Sequence, residues 1–203
     1  ELSRDERQGE WWVDLANGRW LRVFADGSVD NPVHDRLSRA GAGIFFGKGH
    51  RRNTGAEVKG KKLNSYRAEL QAVALLLQGR RKWKVKIWVT LDNESLAHDV
   101  QDFINNKRAR YRSENQDIWN VIARHAGDRL SDDSIMVAWT KGRAEEQDIA
   151  QGRSSPEERG RNQGADVLAD EGRELSTRGQ SYIEAARSRC RMTMLAQTMY
   201  LKI

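Results

Sequence analysis

The chain of 203 residues contains one cysteine, two prolines and no apolar run near the roughly 20 residues that a membrane-spanning helix needs. Each scarcity excludes something. Cys190 alone cannot close an internal disulfide or supply a thiolate cluster for zinc, which suits a reducing, intracellular compartment. The lack of an apolar run excludes a helical span, and the polar start "ELSRDERQGE" excludes a signal peptide. That start also lacks an initiator methionine, so the chain is expected to be cut from something longer. A free-standing 203-residue product from the native source, seen by mass spectrometry, would remove that expectation. No Ser-His or Cys-His arrangement points to a covalent nucleophile.

What remains is a polar, evenly mixed composition. With 38% hydrophobic and 32% charged residues, the chain fits one domain with elaborations rather than two full cores. Thirty-five Lys and Arg against 29 Asp and Glu give a formal charge of +6, which is compatible with a polyanionic partner without establishing one.

Hydrophobic periodicity changes type in an orderly way along the chain. "RWLRVFADGS" (19–28) and "AGAGIFFGKG" (40–49) read as strands separated by the turn-rich "DNPVHDRLSR", and "TGAEVKGKK" as a shorter antiparallel partner. "NSYRAELQAVALLLQGRR" has apolar residues at helical spacing after an Asn-Ser start able to cap its first turn. "VKIWVTL" reads as a strand buried on both faces. Helices are expected in "ESLAHDVQDFIN" and "QDIWNVIARHAG", where Trp119 faces the core, and a fifth strand in "DSIMVAWTKG". The stretch 143–164 has no apolar periodicity and reads as a mobile loop. "ADVLADEGRELS" reads as a helix ending near Gly172, and the tail as a helix with a Met-rich face. The sum is a mixed α/β sheet domain over residues 19–178, with extensions at 1–18 and 179–203.

Four acids fall at strand ends or on helices close to them. Asp26 ends the first strand, Glu69 lies in the first turns of the first helix, Asp92 ends "IWVTLD", and Asp166 opens the helix "ADVLAD". Taken singly, each also fits a turn, a cap or a solvated position. Together they could converge, because active sites of open sheets gather at strand ends. Like charges tolerate such company when divalent cations neutralise them, and hard oxygen ligands select Mg²⁺ or Mn²⁺ over zinc.

"FADGSVDNP", "NSYRAELQAV", "VTLDNESL", "AWTKGRA" and "NQGADVLADEG", in that order over roughly residues 20 to 176, resemble the successive motifs of type 1 ribonuclease H. The resemblance implies a five-stranded sheet in order 3-2-1-4-5 with helices on both faces. It implies cleavage of the RNA strand of RNA·DNA hybrids, leaving 5′-phosphate and 3′-hydroxyl ends. It also implies two Mg²⁺ ions, with Mn²⁺ as a substitute, held by Asp26, Glu69, Asp92 and Asp166. Gly27, Ser28, Asn31, Asn64, Ser65, Arg67, Lys141 and Arg143 stand at positions that contact substrate in the family. Asn64-Ser65 also fits an ordinary helix start, and Asn31-Pro32 an ordinary turn. Lys107, Arg108, Arg110 and Arg112 occupy the place of a substrate-gripping protrusion, and equally fit a solvated charged face.

The pattern breaks after the fifth strand. Where the family usually carries a histidine in a Lys-Gly-His sequence, this chain has Arg143, which can hold phosphate but cannot shuttle a proton near neutral pH. None of the four histidines is an obvious substitute. Two rival readings follow: a hybrid-binding scaffold with a decayed site, and an integrase-like or exonuclease-like enzyme on the same sheet. The Glu in "YRAEL" argues against the second. The preferred origin is a monomeric domain of a retroelement polyprotein, behind a reverse transcriptase, with no membrane partner.

Overall fold

The alternation of strand and helix patterns folds into one mixed sheet, as the residue pattern predicts, with helices on both faces, as the resemblance implies. The computed structural model describes residues 2–5, 9–30, 37–80, 85–106, 113–126, 134–142, 144–177 and 179–200. Its strands are β1 (Leu2–Asp5), β2 (Glu10–Leu15), β3 (Gly18–Asp30), β4 (Arg39–Phe45), β5 (Thr54–Glu57), β6 (Lys86–Leu91) and β7 (Ile135–Trp139). The helices are α1 (Ser65–Arg80), α2 (Glu94–Asn106), α3 (Gln116–Ala126), α4 (Glu146–Ala150), α5 (Pro156–Glu174) and α6 (Gln180–Tyr200). No helix among the described residues is long and apolar enough to cross a membrane.

Five strands lie side by side as β5-β4-β3-β6-β7, antiparallel from β5 to β3 and parallel from β3 to β7. This is the expected 3-2-1-4-5 order. Among the described residues the sheet has seven strands rather than five, because β1 and β2 come from the segment read as an addition to the core. A turn at Ala16 and Asn17, closed by Gly18 at φ +124°, folds β2 back along the first half of β3. β4 pairs only with the second half, from Phe24 onward.

The two-residue alternation of β3 divides its side chains between two layers. Leu21, Val23 and Ala25 join the main core beneath α1, α2 and α3, where Trp119 is 1% exposed and packs on Phe103 at 5.6 Å. Phe24 faces the other way, with Trp11, Val13 and Ala165 of α5.

Helix α5 lies unusually close to the sheet, and three glycines permit it. A Cβ added at Gly41 would stand 2.0 Å from the Ala169 carbonyl oxygen, at Gly43 2.1 Å from that of Ala165, and at Gly55 2.4 Å from that of Leu168. Backbone cannot yield as a flexible side chain can, so Gly43→Ala is expected to destabilise the protein by about 2 kcal/mol through overpacking. It should also tilt the helix that carries Asp166. Thermal unfolding checks the first effect, with an expected fall of about 4–8 °C for a chain of this size.

The expected mobile loop at 143–164 is not one. Within it α4 forms, and α5 begins at Pro156, nine residues ahead of the expected start. A capping box starts it: Ser155 Oγ accepts from the Glu158 N–H (3.1 Å), and Glu158 Oε2 accepts from the Ser155 N–H (3.0 Å). Pro156 sits in the first turn, where its missing N–H costs nothing. Apolar periodicity is absent because the buried side of this helix is Arg161, Asn162, Ala165, Ala169 and Gly172. Those residues are polar or small, as contact with a glycine-lined sheet requires.

Candidate active site

Asp26 does not end its strand. β3 continues to Asp30 with β4 paired alongside, Asp26 opposite Gly43, whereas the parallel partner β6 last pairs at Phe24 with Thr90. At Asp26 the sheet is therefore open on one edge, and a pocket of about 540 Å³ fills the gap. Asp92 follows the last residue of β6, Glu69 lies in the second turn of α1, and Asp166 sits in the middle of α5 rather than at its start. All four acids line this pocket.

Gly27 is not a turn residue either. A Cβ there would lie 2.4 Å from the Glu69 nitrogen, so its bare Cα lets α1 approach β3 and brings Glu69 beside Asp26.

The carboxylates are costly to keep charged. Asp26 (6% exposed) is pushed up to about 8, chiefly by burial and then by repulsion from Asp92, with smaller repulsions from Glu69 and Asp166. The Gly27 N–H, donating to Asp26 Oδ1 at 2.6 Å, opposes the rise. Glu69 (3% exposed) is pushed up to about 7 by burial and then by Asp92. Asn93 (3.3 Å) and Ser65 (3.0 Å) both donate to Glu69 Oε1 and moderate the effect. Its other oxygen, Oε2, is buried with no hydrogen-bond partner.

Buried, mutually repelling acids with an orphaned oxygen form an oxygen-only donor set suited to a hard divalent cation. Among the described residues, no three of His, Cys, Asp and Glu are gathered tightly enough to make a ready-formed metal cluster. The acids share the walls of one pocket.

The residues expected to contact substrate divide. Gly27 and Ser65 line the pocket. Ser28 is buried against α5, its hydroxyl donating to Asp170 Oδ1 (2.5 Å) and accepting from Arg173 Nη1 (2.8 Å). Asn64 caps α1, its Oδ1 accepting from the Arg67 N–H at 2.8 Å. Arg67 is 6% exposed and spent on structure: it donates to the Lys59 carbonyl, to Asn115 Oδ1 and to both oxygens of Asp117. That pairing holds the Asp117 carboxyl below its usual range. Lys141 donates to Asp148 Oδ1 at 2.7 Å. Asn31, Arg143, Lys107, Arg108, Arg110 and Arg112 lie outside the described residues.

Apart from Asp166, sequence reasoning missed the opposite wall of the pocket. Arg159, Asn162 and Gln163 line it from α5 together with Asp166, and Ala144 and Glu145 from the segment ahead of α4. The α5 residues fall at i, i+3, i+4 and i+7, a helical face legible once the Ser155 capping box marks the start. Asp148 secures α4, accepting from Lys141, from the Glu145 N–H and from Arg153; these bonds hold its carboxyl well below the usual range. No histidine is among the described residues that line the pocket.

This strand order, with an acid-lined pocket at the open end of its two central parallel strands, defines a ribonuclease H-like α/β domain. The RNase H family model matches residues 19–174, and the chain belongs to that family. No curated protein matches the chain. Among solved structures, the prototype foamy virus protease-reverse transcriptase is 19% identical with a TM-score of 0.57, covering 77% of this chain and 21% of that one. The PFV RNase H domain is 18% identical with a TM-score of 0.56, covering 76% and 94%. A foamy viral protease-reverse transcriptase in complex with RNA/DNA hybrid is 17% identical with a TM-score of 0.50, covering 76% and 20%.

Proposed function

We propose that the protein is a divalent-metal-dependent endoribonuclease that hydrolyses the RNA strand of RNA·DNA hybrids. The observation that carries this reading is the meeting of Asp26, Glu69, Asp92 and Asp166, from four separate elements, in one pocket. Membership of the RNase H family supports it, as does the hybrid bound by the similar foamy viral enzyme.

In this reading Asp26 and Asp166 would hold one ion, and Asp26, Glu69 and Asp92 a second. When bound, such a pair of ions makes water nucleophilic near neutral pH and stabilises the departing 3′ oxygen. The chain's own part is positional. Gly27 lets α1 approach β3, Ser65 and Asn93 fix one oxygen of Glu69, and the glycine row beneath α5 sets the depth of Asp166. Gly27 and Ser65, exposed to the pocket beside the acids, face the ribose side of a bound hybrid, where the 2′-hydroxyl tells RNA from DNA. One chain supplies all four acids, which is compatible with a monomer as the active unit. The likeness to one-fifth of a protease-reverse transcriptase supports an origin beside a reverse transcriptase in a retroelement polyprotein.

The test uses end-labelled RNA·DNA hybrid, duplex DNA and duplex RNA with and without Mg²⁺. Internal cuts confined to the RNA of the hybrid, with 5′-phosphate ends and dependence on Mg²⁺, are the expected result. Hybrid binding without cleavage would instead mark a scaffold, and cleavage of duplex DNA an integrase-like or exonuclease-like enzyme.

A further inference from the structure

Among the described residues that line the acid pocket, one carries a positive charge, Arg159. It stands two turns before Asp166 on the same side of α5, and its Nη1 donates to Glu146 Oε1, on the first residue of α4, at 3.1 Å. Both side chains are open to solvent, 45% and 89% exposed, so the pair holds weakly and can part at small cost.

We propose that Arg159 grips a phosphate of the RNA strand beside the scissile one, leaving Glu146 to do so. The inference rests on the hydrolytic reading above. Three observations carry it. First, the described walls of the pocket are otherwise acidic or neutral, with Glu145 added to the four buried acids. Divalent ions would answer the scissile phosphate, but a flanking phosphate entering between the same walls needs a cation from the chain itself. Second, seven residues of helix put about 10 Å between the backbones of Arg159 and Asp166, and helical side chains lean toward the N-terminus, away from Asp166. The guanidinium therefore meets a neighbour of the phosphate that sits at the acids. Third, the partner it would leave is fixed in place. Asp148 accepts from Lys141, Arg153 and the Glu145 N–H, which locks α4, so Glu146 does not follow the guanidinium as it turns to substrate. A planar fork of donors also suits a phosphodiester, whose two free oxygens it can hold together.

Hybrid binding without metal, measured over a range of salt concentrations, tests this. Arg159→Gln should weaken binding about fivefold at low salt, the scale of one exposed charge contact. The loss should be equal for hybrids of unrelated sequence, since a phosphate contact carries no sequence information. The slope of log K against log salt should flatten by about 0.7 to 0.9, the share of one phosphate. Arg159→Lys keeps the charge and should restore that slope. With Mg²⁺, the single-turnover rate of Arg159→Gln at saturating hybrid should fall less than its affinity does. Glu146→Gln should tighten binding about twofold in the parent and less in the Arg159→Gln background, because only the parent has a pair to break.

Parental affinity and slope in Arg159→Gln overturn the inference, as does a lysine variant with the same flattened slope as the glutamine one. A saturated rate that falls further than the affinity also overturns it, by moving Arg159 onto the scissile phosphate. Equal gains from Glu146→Gln in both backgrounds overturn the exchange of partners. A parent that binds hybrid but never cuts it overturns the hydrolytic reading, whereas a cutting parent with an indifferent Arg159→Gln overturns only the role of Arg159.

Discussion

Asp92→Asn is expected to lower hybrid cleavage by about 10³-fold or more, the scale on which transition-state charge stabilisation is lost. Hybrid binding without metal should persist or tighten. Asp92 stands at the end of β6, where its carboxylate raises both Asp26 and Glu69. On the proposed function, an amide of the same shape removes the negative charge of a metal ligand and the repulsion together, while the backbone carbonyl that accepts from Trp139 Nε1 at 3.1 Å is untouched. The loss should therefore appear in the chemical step, with folding preserved. Gel-based single-turnover assays paired with circular dichroism make the check, and a variant that still cuts at a tenth of the parental rate would remove Asp92 from the metal site.

The second large effect concerns stability against pH in the absence of divalent ions. Asp26 at about 8 and Glu69 at about 7 stand above the ordinary values of 3.8 and 4.5. Between those limits the folded protein holds protons that the unfolded chain has released. Stability is thus fully present below about pH 4, and it falls as pH rises through 7 and 8. Asp26→Asn removes the larger contribution. At pH 8.5 without metal it should raise stability on the order of 3 kcal/mol, or about 6–12 °C in melting temperature, and at pH 4 it should change little. Added Mg²⁺ should stabilise the parent at high pH and the variant far less, since the ion replaces the missing protons. Calorimetry at two pH values with and without Mg²⁺ decides it, and a variant no more stable than the parent at high pH would show that the acids are not frustrated.

The architecture was largely legible in the sequence because period-two and period-3.6 patterns depend on large apolar residues, and most of the core is built from them. "VKIWVTL" became β6 and "QDIWNVIARHAG" became α3 for that reason. Legibility failed where packing uses the absence of side chains. The front half of α5 buries Arg161, Asn162 and Ala165, polar or small residues, so no apolar stripe announces it, and only the Ser155-Glu158 pair carries the signal. At the site, the four acids were found through their order and neighbours. Their surroundings were not, because Arg67 and Ser28 are consumed by partners 50 and 142 residues away in sequence, Asp117 and Asp170.

The N-terminal hairpin bears on how the domain can be isolated. The family match begins at residue 19, which cuts between β2 and the strand it covers. A fragment trimmed to that boundary would bare the backbone of β3 from Arg19 to Arg22, strip Trp11 from Arg22 and Phe24, and leave a naked ribbon inviting other chains to zip onto it. Handling in the laboratory, and fusion to any upstream module, must therefore treat the hairpin as a built-in chaperone for the strand that carries Asp26.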